Sequence, residues 1–245
     1  MIRIVTQVEF INGLFSTIYV IFASIIGLYI ATRYLKYKSK MFLYMGLTLI
    51  FLGCPWWPSS SSFILGLVTG EGLSFEMYVI LGNATVPIFV MLLILSVTTL
   101  LFQQYQKIIL LIFVVYGIIV EIYLFYFVFK DPSALGTLNG LVDIEYTGFL
   151  RIYLISVMII ILVSGILISK ESFKSEDLDI QLKGKFLLSA FIIWVIAAFA
   201  DAVLPLTIIT LTIIRILLIL SSMLFYLGFI LPDAVKNVFL KESME

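Results

Sequence analysis

The sequence predicts an all-α, polytopic membrane protein with seven transmembrane helices, its amino terminus outside and its carboxy terminus cytoplasmic. Three observations predict it: 62% apolar content with a mean hydropathy of +1.20, seven long apolar runs nearly free of charge, and Lys and Arg concentrated in alternate loops. A soluble domain carries about 45–50% apolar and about 25% charged residues, whereas only 12% of these 245 residues are charged. A spanning helix takes about 20 residues, so seven of them absorb most of the apolar content. Helices are the form to expect, because lipid offers no partner to an open strand edge.

The first run, Phe10–Ala31, is too long and too polar at its start for a signal peptide. The second, Met41–Leu65, is interrupted by Pro55-Trp56-Trp57-Pro58 and then Ser59–Ser62. Proline removes a backbone donor and bends a helix, while Trp favours the headgroup layer. The string therefore predicts a kink near the outer end, with the serines satisfying freed carbonyls. The Trp pair reads either as an interfacial belt or as the wall of a ligand cleft. In the third run, Phe75–Leu101, Pro87 predicts another kink just beneath Asn83. Asn83-Ala84-Thr85 matches a glycosylation triplet, but its place inside a span argues against that use.

The fourth run is Ile108–Phe129. Loop 130–146 follows, rich in Gly and acid, and reads as a structured cap or a mobile lid. Thr147–Ser169 is the fifth run, and the mixed charges of 171–179 suggest a solvated turn of helix. The sixth, Phe186–Leu204, holds Ala197, Ala198, Ala200 and Ala202, which permit close helix approach. The seventh is Leu206–Ile230. Residues 1–230 thus form one transmembrane domain and 231–245 a short cytoplasmic amphipathic tail, with Ala234, Val235, Val238 and Phe239 at helical spacing. Spans one to three and five to seven share one direction and a similar start to their second members (Lys40-Met41-Phe42-Leu43, Lys185-Phe186-Leu187-Leu188). That is compatible with a 3+1+3 parallel repeat.

Direction comes from the cations. Arg33, Lys36, Lys38, Lys40, Lys107, Lys170, Lys174, Lys183, Lys185, Lys236 and Lys241 fall on one side, eleven in all; Arg3, Lys130 and Arg151 fall on the other. The lysine-rich side is expected to be cytoplasmic. The chain has no His and one Cys, so His-ligated metal, haem held by His and Ser/His/Asp catalysis are excluded, and no cofactor is expected. Zero net charge argues against nucleic acid as a partner.

Ionisable groups inside a span cost about 2.5–3.5 kcal/mol on insertion scales and point to function or to a partner. Arg215 lies about 13 Å and Glu121 about 10–12 Å from the outer ends of their spans, at about 1.5 Å per residue. Asn83 is similarly deep, and Asp201 and Glu76 lie nearer the mouth. Glu76 and Asn83 share a helix face, as do Trp194 and Asp201, each pair being seven apart. Thr212, Arg215 and Ser222 share a stripe that places two hydroxyls beside the guanidinium. These stripes are expected to converge on an outer-half pocket with Arg215 as its floor and Glu121 or Asp201 as counter-ion. A purely structural ion pair is the competing reading of the same charges.

In topology the chain resembles microbial seven-helix sensors and receptor-like proteins, across its whole length but without a shared motif. Covalent retinal is excluded, because retinal proteins place a Lys where this last span has Arg215. The Pro-Gln signature of three-plus-one-plus-three carriers and the zinc-binding His residues of seven-span hydrolases are missing. The one-sided polar cluster, with no output domain attached, leads to the expectation of a receptor-like protein of the cell membrane that binds a small anionic or amphipathic ligand in its outer half. Its expected partners are the lipid bilayer, a small-molecule or lipid ligand, and a separate cytoplasmic or membrane protein. A proton- or ion-coupled carrier using Glu121, or a structural subunit of a membrane complex, are the alternatives. No nucleophile–base pair or metal set suggests an enzyme.

Overall fold

Lipid obliges each backbone to satisfy its own hydrogen bonds, and in the computed structural model, which describes residues 6–241, all seven runs are helical. The spans are α1 (Gln7–Tyr37), α2 with α3 (Lys40–Leu52 and Trp57–Thr69), α4 with α5 (Phe75–Asn83 and Val86–Leu101), α6 (Gln106–Lys130), α7 (Gly148–Phe173), α8 (Leu178–Val203) and α9 (Ile208–Ile230). A short α10 (Asp233–Lys241) follows. Several helices run beyond the apolar runs that mark them. The continuation is polar, and helix ends there are closed by local caps rather than by a change in hydropathy. Thr6 and Glu9 form a reciprocal capping box at the start of α1, and Lys38 ends it in the left-handed region at φ 55°. Thr207 and Thr210 do the same for the start of α9.

Both expected kinks are present, that of the second span at its middle rather than near its outer end. The second span breaks into a 3-10 turn, Cys54–Trp56, with Pro55 inside it. The third breaks at Ala84 and Thr85, and Pro87 occupies the first turn of α5, where its missing donor costs nothing. The serines do not serve the freed carbonyls as expected. Ser59 pairs with the Tyr78 hydroxyl at 2.7 Å, Ser60 donates to Thr17 at 3.0 Å, and Ser62 donates to the Leu141 carbonyl. Each thus ties the kinked span to a neighbour, because the 3-10 turn already supplies the backbone with short-range bonds.

Six spans close into a ring in which α1 packs on α2, α2 on α5, α5 on α7, α7 on α8, α8 on α9, and α9 back on α1. The fourth span, α6, sits outside the ring against α5. It buries a single stripe, Gly117, Val120, Leu124 and Val128, and turns residues such as Ile112, Ile119 and Ile122 outward. Such a helix suits lipid on its outer face. At the α1–α2 crossing Gly27 faces Gly46, and a Cβ on Gly27 would lie 2.7 Å from the Gly46 carbonyl oxygen. This is the small-residue packing that holds helices together where burial of apolar surface offers no driving force.

The fold departs from all-α in one place. Loop 130–146 contains a two-stranded antiparallel hairpin, β1 (Gly136–Leu138) and β2 (Ile144–Tyr146). Its turn is pinned to the bundle: Leu141 donates its N–H to Glu9 at 2.9 Å, and the Val142 carbonyl accepts from Asn12 at 3.3 Å. Leu141 and Val142 bury against Phe63. Of the two expectations for this loop, the structured cap is the one seen. The lysine-rich loops lie at the opposite end of the bundle. There α10 folds back on α8 through a Lys236–Asp179 ion pair and an edge contact of Phe239 on Phe186, with ring centroids 5.5 Å apart. Arg3 lies outside the described residues.

Replacing Gly46 by Leu should separate α1 from α2, because the new Cβ would meet backbone of α1 on both sides. The expected outcome is loss of the monodisperse peak in detergent size-exclusion chromatography, with Gly46→Ala intermediate. A normal elution profile for Gly46→Leu would refute the tight crossing.

Candidate ligand-binding site

The chain turns between α8 and α9 within a few residues, so the last turn of α8 and the upper turns of α9 stand side by side. Asp201 occupies the first and Arg215 the second. Arg215 is 2% exposed, and its Nη1 donates to Asp201 Oδ1 at 2.8 Å. Its Nη2 donates to the Asn12 side-chain oxygen of α1, also at 2.8 Å. The second oxygen of Asp201 accepts from the Trp56 indole at 2.9 Å, and the guanidinium lies 5.7 Å from that ring's centroid. Trp56 in turn meets Tyr19 and Trp194 edge-on at 5.0 and 5.9 Å, and Trp194 donates to the Tyr19 hydroxyl at 3.1 Å. Asn12 also bonds the hairpin through Val142. One buried cation therefore links α1, the 3-10 turn, α8, α9 and the cap.

Asp201 is thus the counter-ion, and Glu121 is not. Glu121 lies on the peripheral α6, half-buried, and one of its oxygens has no hydrogen-bond partner among the described residues. Trp194 shares the cavity with Asp201, but the indole that bonds Asp201 is Trp56, which is buried rather than lying at an interface. The hydroxyls of Thr212 and Ser222 do not flank the guanidinium either. They return to the carbonyls of Ile208 and Leu218 on their own helix, the nearest acceptors to hydroxyls at those positions. Asn83 is buried and donates to the Tyr146 hydroxyl at 2.8 Å, which holds the base of the cap. Glu76 lies half-buried in the first turn of α4.

Two joined cavities lie beside the ion pair. A vestibule of about 400 Å³ runs between the hairpin and the facing ends of α7 and α8, past Asp143, Arg151, Ile155, Phe199 and Asp201. An inner chamber of about 120 Å³ continues to Trp56, Tyr78, Phe89, Trp194 and Arg215. Asp143, Tyr146, Asp201 and Ala202 belong to both. Of the residues singled out by sequence, Arg215, Asp201 and Trp194 line this space, whereas Glu121, Asn83, Glu76 and Thr212 do not. The vestibule's rim carries exposed apolar residues (Ile155, Phe199 and Val203) on one side and exposed polar ones (Asn139, Glu145 and Arg151) on the other.

Asp143, Tyr146 and Asn12 are the residues beside the ion pair and cavities that sequence reasoning missed, and Trp56 was offered only as one of two alternatives. The polar start of the first run held a signal for Asn12, and the Pro-Trp-Trp-Pro string held one for Trp56. Asp143 is one acid among several in a loop and carries none. Burial, aided by the charge of Asp201, pushes the Asp143 carboxyl up to about 6, against the opposing influence of Ile144 N–H, the Arg215 charge and Asn139. Burial also raises the Tyr146 phenol above its ordinary value. Apolar walls, a buried ion pair and a void thus meet at one place. Comparison with protein-family models, curated proteins and solved structures returned no match.

Two outcomes follow from the charges. Asp201→Asn leaves a buried guanidinium without its countercharge, and thermal unfolding in detergent should show a loss of about 3–5 kcal/mol. The paired replacement Arg215→Met with Asp201→Leu should recover most of it; Asp201→Asn as stable as the parent would show that the pair holds nothing. For Asp143 the folded-state value lies above the ordinary one, so the folded form binds the extra proton and stability falls as pH rises from about 4 to about 6. Thermal midpoints should therefore drop across that window and then level, and Asp143→Asn should abolish the slope while raising stability above pH 7.

Proposed function

We propose that this integral membrane protein is receptor-like and non-enzymatic, and binds a small amphipathic ligand in the joined cavities beside the Arg215–Asp201 pair. The observation that carries the reading is a void that begins between the hairpin and the ends of α7 and α8, at a rim part apolar and part polar, and ends at a buried, hydrogen-bonded charge pair. Small-molecule sites are mostly apolar with a few placed polar groups, and this lining has that character. Of the two ligand characters the sequence suggests, the amphipathic one has the better support. A purely anionic ligand would meet two carboxylates and a cation already matched by Asp201.

The cation bias of the loops supports an orientation with the hairpin end outside and the lysine-rich end cytoplasmic, in the cell membrane. A response would then travel through α8 and α9, which carry the ion pair, to the basic loops and a separate protein partner. The carrier alternative rests on Glu121, which lines neither cavity and so gains no support from the site's geometry.

Fluorescence of Trp56 and Trp194 tests the reading in a Trp57→Phe background, in nanodiscs titrated with a chain-brominated lysophosphatidylcholine. Saturable quenching is expected, and Ala202→Phe, which fills the junction of the two cavities, should remove it. Quenching that never saturates and is unchanged by Ala202→Phe would overturn the proposal.

A further inference from the structure

The inner chamber has an unbalanced set of polar groups. Arg215 and Asp201 cancel, which leaves Asp143, a lining residue of both cavities, with no cation within ion-pair distance among the described residues. Ile144 N–H, Arg215 and Asn139 each favour its charged form, but Arg215 does so from beyond ion-pair distance while paired with Asp201. Arg215 has an unmet need of the opposite kind. Both of its Nη groups are engaged, yet its Nε–H has no acceptor among the described residues although the side chain is 2% exposed and lines the chamber. A buried donor left without a partner costs about 1–3 kcal/mol, more for a charged group. The site thus offers a place for one positive charge, and an oxygen acceptor beside it would reach the Nε–H, which its neighbours enclose, only with a small turn of the Arg215 side chain.

We propose that the bound headgroup carries a protonated amine and a neighbouring oxygen, the ammonium between Asp143 and Asp201 and the oxygen towards Arg215 Nε. This deepens the binding reading and rests on it. The aromatic faces of Trp56, Trp194 and Tyr146 suit an organic ammonium, which aromatic rings attract and an apolar wall alone would repel. The alkyl chain leaves through the vestibule over Ile155, Phe199 and Val203 into lipid. At the rim Arg151 and Glu145 are both exposed and of opposite sign, and Asp143 is the more buried carboxylate. The shared chemistry is a single-chain or lipid amphiphile of the ethanolamine kind, whether the oxygen belongs to a phosphodiester or to a hydroxyl.

The test measures binding of three chain-matched probes to the full chain in nanodiscs: lysophosphatidylethanolamine, lysophosphatidylglycerol and the amino alcohol sphinganine. The ethanolamine probe is expected to bind about tenfold more tightly than the glycerol probe, a difference near 1.4 kcal/mol. Asp143→Asn should shrink that ratio to about twofold or less without weakening the glycerol probe, since the mutation removes a repelling charge. Sphinganine binding as well as the ethanolamine probe would identify a hydroxyl as a sufficient acceptor. Its failure beside a bound ethanolamine probe would identify the phosphodiester; either result supports the amine. Equal affinity of the ethanolamine and glycerol probes, or a ratio untouched by Asp143→Asn, would overturn the amine assignment while leaving the cavity reading intact. Failure of all three probes to bind would overturn both.

Discussion

A guanidinium removed from water must be repaid in hydrogen bonds and charge, and that demand at Arg215 organises this membrane fold. The effective penalty is several kcal/mol per buried ion, and attraction offsets it only when geometry is good. Here Asp201, Asn12 and the Trp56 ring meet the demand from three separate elements. Each must be at the right height and rotation for its contact, so one side chain sets the relative register of α1, the 3-10 turn, α8 and α9. The Asn12 link to Val142 extends the same constraint to the hairpin cap.

The breaks in the second and third spans have a related consequence. An unbroken helix through Cys54–Trp56 would carry Trp56 round at regular spacing; the 3-10 turn brings its indole to Asp201 instead. The break at Ala84 and Thr85 ends α4 with Asn83 beside Tyr146. The break in the second span lies at its middle, with 13 helical residues on either side, and that in the third lies towards the capped end. Towards the lysine-rich end the buried hydroxyls of Ser96, Thr98 and Ser221 simply bond nearby carbonyls, and the helices close on one another through Gly27, Gly46 and Gly228. Spans six and seven have no corresponding breaks, α8 and α9 each running uninterrupted. Polarity and void therefore coincide at one end of the bundle, and packing dominates the other.

Several features were legible in the residues because each is paid for locally. A charge within an apolar run is costly wherever the neighbouring helices stand, so Arg215 and Asp201 are conspicuous in the letters alone. Proline breaks a helix through its own missing donor, so both kinks were foreseeable, as were seven spans from run length. Glu121 illustrates the limit. It satisfies the same local criterion as Asp201, yet sits on a helix outside the ring of six and takes no part in the ion pair. Trp194 and Trp56 show it again, since spacing places Trp194 under Asp201 on one face while the contact is made from another span.

By itself the sequence determined the class of the protein, the number of its spans, where two of them bend, and which side chains are costly in lipid. Those properties depend on transfer free energy and backbone chemistry, which act residue by residue. The tertiary structure alone decided the partner of Arg215, the membership of Asn12 and Asp143 in the site, the pinning of the cap and the existence of a void. Helical periodicity fixes angles around one axis; it says nothing about how far one helix is rotated or shifted against another, and each of these features depends on that relation.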